Sequence, residues 1–409
     1  MGAHSAVTGG DRIRVGVLTT SFPMPGDSYN GVFVERLVNH LPEYISPLVI
    51  VPAGTEKEGG IERPGQYSLL PFRYAPWRYQ VLARQSGGIP AALQSNKFLY
   101  ALIPVFLLAM AWACLRCARR VDVFNANWSI CGFIAGMVGC ITETPVITTL
   151  RGDDVTRAAT SSVYFWLLKA AIRLSRRVVV VSEAIKETVG DWFPDERHKI
   201  VMIPNGVDAR FLEIERTYSR GDSAPLRLLT VSALIKRKSV DTIIAALSEV
   251  SCRPEPVLVI VGDGPEHGNL QALAAQLGLE KQVVFEGYAD PEAVPGHLEA
   301  ADIFILASHS EGRPNVILEA MASAMPIISS RIDGVVELIE DKKSGLLFNV
   351  DDSRDLAEKI SSLCSDPELR ERLGKAARGF ITSNGLLWEN TGRLYAREYR
   401  HCITKGDPG

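Results

Sequence analysis

Ser308-His309-Ser310-Glu311-Gly312-Arg313-Pro314-Asn315-Val316-Ile317-Leu318-Glu319-Ala320-Met321-Ala322 is the stretch whose reading decides the rest. It follows Ile303–Leu306, a short apolar run of the kind found in buried parallel strands. It then passes into an apolar helical pattern. Pro314 is expected in the first helical turn, where its missing N–H costs nothing. The amides of Asn315 and Val316 would then point out of the helix N-terminus, a natural anion site suited to a diphosphate. Glu311 stands on the loop before this mouth. Glu319 stands inside the helix, on the face of Asn315, roughly 7 Å beyond the mouth at about 1.5 Å per residue. The order is carboxylate, amide cluster, carboxylate. A nucleotide-sugar presents sugar hydroxyls, diphosphate and ribose hydroxyls in the same order, and carboxylates accept from paired hydroxyls. Two glutamates eight residues apart are also common on solvated surfaces. The Gly and Pro that hold this loop at a strand-to-helix corner favour the site.

Outward from this corner, strand-like and helix-like runs alternate along the chain. Ile13–Leu18, Leu48–Val51, Val121–Phe124, Val146–Thr149 and Val178–Val181 form one series of short apolar strands, and Ile200–Ile203 follows. Pro204-Asn205-Gly206 is a turn signal, and a low-complexity stretch, Thr217–Pro225, follows. The alternation restarts at Arg227–Val231 and continues through Val257–Val261, Val283–Phe285, Ile303–Leu306, Pro326–Ser329 and Gly345–Phe348. Two successive βα arrays predict an α/β protein of two Rossmann-like, doubly wound domains with a cleft between them. The expected boundaries are a lead-in at 1–11, a first domain at 12–205 and a second at 206–385. A last helical segment at 386–409 is expected to cross back to the first domain.

The quoted corner resembles the E-x7-E signature of the retaining glycosyltransferases of family four, which have the GT-B fold. The resemblance runs from about residue 12 to about residue 400. It implies that Glu311 binds the donor sugar, that Glu319 binds the ribose, and that the amides of Gly312, Arg313, Asn315 and Val316 serve sugar and phosphate. Val231-Ser-Ala-Leu-Ile-Lys-Arg-Lys238 is similar to the family's strand-end loop with a diphosphate-binding Arg and Lys. Lys238 takes the place of the Lys. Ala233 stands at the usual Arg position, for which Lys236 or Arg237 would compensate. A cation is needed there because the leaving diphosphate gains charge in the transition state. Gly262 in Gly262-Asp-Gly-Pro265 and Tyr288 in Phe285-Glu-Gly-Tyr are candidate neighbours of the nucleotide base, with core packing the alternative for Tyr288.

On the acceptor side, Gly31 in Asn30-Gly31-Val-Phe-Val-Glu-Arg resembles the family's glycine-containing acceptor loop, with a simple helix-entry glycine as the alternative. Asn125-Ala-Asn127-Trp128 and Leu150-Arg151-Gly-Asp153-Asp154 are similar to the family's His-x-His-Trp and His-Gly-x-Asp segments. Asn125, Asn127 and Arg151 stand where histidines are common. Arg151 would assist the diphosphate or pair with Asp153. Arg313 for a frequent Phe, Ala324 for a frequent Gly, and Asp333 beside Gly334 are further departures. The implied reaction moves a sugar from a nucleotide-sugar to a glycan or lipid-linked acceptor with retention, without a metal or other cofactor. A GT-B phosphorylase or epimerase, and a non-catalytic assembly partner with the same fold, are the rivals.

With 46% hydrophobic and 22% charged residues, the composition is that of a soluble globular protein. Residues 1–190 carry 19 Lys and Arg against 13 Asp and Glu, a net of +6, and the remainder is −9. The basic half suits an anionic acceptor or an anionic membrane surface, and no nucleic-acid partner is expected. Seven scattered cysteines and an opening without an apolar signal region predict a reduced, cytoplasmic protein, peripheral on the inner face of a membrane. No Cys or His pattern has metal spacing. Phe98–Leu115 is 18 residues without a charge, followed by Arg116, Arg119 and Arg120. It meets the minimum length for a membrane span. It also occupies the place of a crossover helix, so a buried or interface-lying helix is expected.

Overall fold

The computed structural model describes residues 12–23, 31–54, 66–83, 89, 92–93, 96–219 and 224–404. The lead-in at 1–11, Asn30 and part of the low-complexity stretch lie outside the described residues. The chain divides into two compact units. The first runs through Pro204 and resumes at Trp388, and the second is Asn205–Leu387. These divisions fall one and two residues from the expected ones.

The first unit is built on seven parallel strands: β1 (Ile13–Leu18), β2 (Ile45–Pro52), β3 (Ser68–Phe72), β4 (Val123–Asn127), β5 (Val146–Leu150), β6 (Arg177–Val180) and β7 (Ile200–Met202), in the order β3-β2-β1-β4-β5-β6-β7. Its helices are α1 (Val32–Asn39), α2 (Ile103–Cys117), α3 (Ser129–Thr142), α4 (Asp153–Thr160), α5 (Ser162–Leu174) and α6 (Glu183–Trp192). Alternation along β1 and β2 sends Val15, Val17, Val49 and Val51 to one face and Leu18 and Ile50 to the other. Gly16 leaves room for the Phe124 ring, which a Cβ would meet at 2.8 Å.

Six parallel strands make the second sheet: β8 (Arg227–Val231), β9 (Val257–Val261), β10 (Val283–Gly287), β11 (Ile303–Leu306), β12 (Ile327–Ser330) and β13 (Leu346–Phe348), in the order β10-β9-β8-β11-β12-β13. Leu228, Leu258, Ile260, Ile303 and Ile305 fill one face. Leu229, Val259, Val261, Phe304 and Leu306 fill the other. Seven helices cover it: α7 (Val240–Leu247), α8 (His267–Gln276), α9 (Val294–Ala300), α10 (Asn315–Ala322), α11 (Asp333–Val336), α12 (Ser353–Ser365) and α13 (Pro367–Ser383). Asp352 and Asp366 cap α12 and α13 by accepting from the amides of Asp355 and Leu369.

The last helix, α14 (Trp388–Ile403), belongs to the first unit. It buries Trp388, Tyr395, Tyr399 and Cys402 in the core beside α1. Two internal hydrogen bonds fix it to the sheet: Asn125 Nδ2 donates to Tyr399 Oη at 2.7 Å, and Thr149 Oγ1 lies 3.3 Å from Tyr395 Oη. In each sheet the strand order reverses once, between β1 and β4 and between β8 and β11. Ligands of open α/β sheets bind at the carboxyl ends of the strands that flank such a reversal.

Candidate functional site

In the second unit the reversal brings together the two loops singled out from sequence. β8 ends in a 3-10 turn, Lys236–Lys238, and β11 ends in the Ser308–Pro314 loop. Two hydrogen bonds join them: the His309 amide donates to the Arg237 carbonyl at 2.9 Å, and the Arg237 side chain donates through Nη1 to the Ser310 carbonyl at 2.8 Å. His309 Nε2 also lies 2.7 Å from Asp351 Oδ1.

At the centre of this join, Lys238 Nζ donates to Glu311 Oε1 at 2.5 Å. Ser308 Oγ donates to the same oxygen at 2.8 Å, and Arg237 Nη1 lies 3.5 Å from Oε2. The Glu311 side chain is 11% exposed. Burial, the largest single influence, pushes its carboxyl upward, but the charges of Lys238 and Arg237 together with the hydrogen bonds from Lys238 and Ser308 outweigh it, and the net direction is downward. Glu311 is therefore a buried carboxylate held ionised by cations. The solvated-surface reading is excluded for Glu319 as well, which is 8% exposed.

Pro314 stands one position earlier than expected. It is the residue before α10, in an extended conformation, and the helix begins at Asn315. The amides of Asn315 and Val316 open the first turn, where no intrahelical acceptor exists for them. The Asn315 side chain is tied back, accepting from Asn205 Nδ2 at 2.9 Å. Asn205 entered the sequence reading only as part of a turn.

Glycines let these loops approach one another. A Cβ on Gly334, at the start of α11, would sit 2.3 Å from the Glu311 carbonyl oxygen. One on Gly262 would sit 1.8 Å from the Ser232 carbonyl oxygen, at a φ of +141°. Gly262 thus serves the packing of the β8 and β9 loops. Tyr288 follows the edge strand β10 and is 43% exposed, so core packing is excluded for it. Three strand spacings separate it from Glu311, about 14 Å across the sheet.

The expected contribution of Arg313 is its amide, and its side chain turns away from the loop surface. Its side chain is only 5% exposed and points into the unit, with Nη1 3.6 Å from Glu337 Oε2. Burial lowers its pKa and Glu337 opposes this. Its Nε has no hydrogen-bond partner among the described residues.

In the first unit, Gly31 sits at a φ of +78°, the residue before α1, and a Cβ there would meet the Ser21 carbonyl oxygen at 2.1 Å. The close approach in this structure is to the chain itself, between the β1 loop and the start of α1. Arg151, at the end of β5, donates to Asn127 Oδ1 through Nη2 at 2.8 Å and Nε at 3.3 Å. Its guanidinium lies 4.8 Å from the Phe33 ring centre. Burial lowers the Arg151 pKa, opposed by Tyr395, Tyr399 and Asp154. The two bonds from Arg151 fix the Asn127 amide, and Asn127 Nδ2 has no partner among the described residues.

The expected pairing of Arg151 with Asp153 does not form. Asp153 is half exposed on α4 and pairs with Arg157 at 2.6 Å. The neighbouring Asp154 holds the loops instead. It accepts from the Ser129 amide at 2.6 Å, at the start of α3, and from the Arg151 amide at 3.2 Å. In Arg151-Gly-Asp153-Asp154 the aspartate of a His-Gly-x-Asp pattern falls on 154, so a one-residue shift in register caused the miss. Trp128 lies between these groups with a φ of 70° and a ψ of 157°. Such a backbone is strained for any residue but glycine, and strain of this kind concentrates at functional sites.

Both units now show polar strand ends at the point where the strand order reverses. Residues 31–211 match the family model described as Glycosyltransferase Family 4, and residues 215–380 match Glycosyl transferases group 1. The chain is 27% identical over 296 residues to N-acetyl-alpha-D-glucosaminyl L-malate synthase of Bacillus anthracis, covering 69% of this chain and 76% of the relative. Sucrose-phosphate synthase from Thermosynechococcus elongatus superposes with a TM-score of 0.79 at 18% identity, over 97% of this chain and 100% of the other. HepE of Anabaena, solved with UDP-glucose, gives 0.72 at 18% identity over 95% and 99%. These structures share the fold. The chain is a glycosyltransferase of the GT-B fold. Its first half carries the family-four domain and its second half the group-1 domain, leaving only residues 212–214 unmatched between 31 and 380.

Proposed function

We propose that the protein transfers a hexosyl group from a nucleoside-diphosphate sugar to a glycan or lipid-linked acceptor, with retention of configuration and without a metal. The observation that carries this reading is the buried Glu311 carboxylate, held by Lys238 beside the N-terminus of α10. Glu311 accepts from the sugar hydroxyls. Lys238 has three donors, so it can keep Glu311 and still reach a phosphate oxygen. With the Asn315 and Val316 amides it stabilises the diphosphate as the C1–O bond loosens. The acceptor oxygen attacks on the same face, and its proton passes to the leaving phosphate oxygen. Glu319 serves the ribose and Tyr288 the base. Acceptor recognition falls to the strand-end loops of the first unit.

Positive charge for the leaving group thus comes from side chains and helix amides. Among the described residues no three His, Cys, Asp or Glu side chains gather as a metal site. The seven cysteines are unpaired, which suits work in the cytoplasm. The chemistry fits the assembly of a polysaccharide or glycolipid.

The test begins with a panel of nucleoside-diphosphate sugars screened for thermal stabilisation. A donor at 100 times its Kd adds about 2.7 kcal/mol of stability. NMR of the product made in excess EDTA should then show the anomeric configuration of the donor. An inverted anomer, or activity that EDTA removes and a divalent metal restores, sinks the proposal.

A further inference from the structure

Helices α2, α3 and α5 cover one face of the first sheet side by side. α3 and α5 pack closely because α3 carries glycine where they meet: a Cβ on Gly136 would lie 2.5 Å from Leu174 Cβ. The inner side of α2, with Phe106, Met110, Cys114 and Cys117, belongs to the core. Its outer side is just as apolar. Residues 97–120 are apolar enough for a membrane span, yet only 22% of that window is buried. Leu108 is 71% exposed and Trp112 61%. The same outer surface continues onto α3 with Ile141 and onto α5 with Val163 and Trp166, all well exposed. Soluble proteins rarely show large contiguous apolar patches unless something covers them.

The charge around this surface is predominantly positive, with five arginines set against the exposed Glu143 that ends α3. Arg116, Arg119 and Arg120 follow the outer stripe of α2, and Arg173 and Arg176 lie at the end of α5; all five are exposed. As crossover helices, α2 and α5 both finish at the edge of the sheet where the strands begin, so the arginines share one rim. Between residues 97 and 152 the carboxylates are Asp122, which is bound by Arg14, and Glu143, and residues 161–176 contain none. Exposed tryptophan on an apolar face, with arginines along its edge, is the pattern of a helix surface lying in the headgroup region of a bilayer. A second copy of the chain fits less well, because a two-fold contact places the same patch on both sides and would bring the arginine rims near each other.

The geometry points to a monotopic membrane face: α2, α3 and α5 lie parallel to a bilayer that contains anionic lipid, with Leu108, Trp112 and Trp166 in the acyl boundary and the arginines on the phosphates. α2 does not cross, because its inner side is part of the core. This follows from the first unit alone and stands or falls separately from the transfer reaction.

The test is flotation of the full chain with vesicles of phosphatidylcholine, alone or with one quarter phosphatidylglycerol. The protein should float with the anionic vesicles, and brominated acyl chains should quench tryptophan fluorescence. The quenching should fall in Trp112→Phe and in Trp166→Phe. Leu108→Glu with Trp112→Glu should cut binding at least tenfold. Removal of each rim arginine should cut it about fivefold. Both substitutions are on the surface, and an unchanged melting temperature checks the fold. Failure to float with anionic vesicles overturns the inference. So does binding that is indifferent to the double glutamate variant. A dimer in buffer, measured by sedimentation and dissolved by that variant, would assign the face to a second copy instead.

Discussion

The strand ends of the two units are built on one plan and spend their polar groups differently. In the second unit, Lys238 and Arg237 from one side of the reversal converge on Glu311 from the other, and the bonds among them are charge-assisted. In the first unit the polar residues at the same topological place are largely taken up internally. Asn125 and Thr149 fasten the last helix, and Asp154 ties the start of α3 to the end of β5. Asn127 and Arg151 hold each other. A reversal of strand order marks a site in both units. The second presents the Lys238–Glu311 charge pair, and the first presents a braced loop framework.

The sharpest way to break this comparison is catalytic. Glu311→Gln and Lys238→Ala should each lower turnover by about 10²–10³-fold, measured on protein that circular dichroism shows to be folded, because breaking a buried ion pair also costs stability. Arg151→Ala should lower turnover far less. Initial rates with the donor found by thermal screening decide it, and equal losses in all three would make the first unit's arginine part of the reacting centre. Next in size is Asp154→Ala. It frees two buried amides and should cost about 2–3 kcal/mol in urea unfolding. Asp153→Ala, next door, removes only an exposed pair and should cost under about 1 kcal/mol.

The same two regions should respond to pH with opposite sign. The folded pKa of Glu311 lies below its ordinary value of about 4.3, so the unfolded chain binds more protons. Its contribution to stability is present above that value and is lost as pH falls through the folded pKa. Burial raises the Asp154 pKa against the hydrogen bonds from Ser129 and the Arg151 amide. There the folded state holds the proton more tightly, so the contribution declines as pH rises from about 3.9 through the raised value. Urea midpoints measured across that acid range should rise less steeply with pH in Glu311→Gln and more steeply in Asp154→Asn. Identical slopes in the two variants would remove the contrast. The smallest effect concerns Ala324, which ends α10 at a φ of 52°. Ala324→Gly relieves a left-handed penalty of about 1–2 kcal/mol and gives back part of it as unfolded-chain entropy. The net gain should be under about 1 kcal/mol, seen as a small rise in melting temperature.

Most of the fold was legible because buried parallel strands are short, apolar and separated by helical patterns. All six strands of the second sheet are visible that way, and five of seven in the first, where the three-residue β7 is too short to stand out. β3, Ser68–Phe72, escapes because it is an edge strand with Pro71 inside it, where neither alternation nor β propensity survives. In the site, Glu311 and Lys238 stand out because a corner Gly-x-Pro and a basic turn frame them. Their mutual pairing does not, since 73 residues separate them. Asp154 was hidden by its neighbour. Two adjacent aspartates at a helix start look alike in sequence, and only burial distinguishes the one that braces the loops from the one that faces water. The direction taken by the Arg313 side chain was hidden for a similar reason. A residue on a loop signals exposure, yet the adjoining Glu337 and the packing of Gly334 draw this one inward.

The position of α14 has a consequence for synthesis. Tyr395, Tyr399 and Cys402 complete the hydrophobic core of the first unit, yet they are translated after the whole of the second. The strands of the first unit leave the ribosome first, yet its core lacks a wall until the entire second unit, which ends at Leu387, has been made. Whatever the usual N-terminal-first order of domain maturation, release of this last helix from the ribosome is the earliest moment at which the first unit can close.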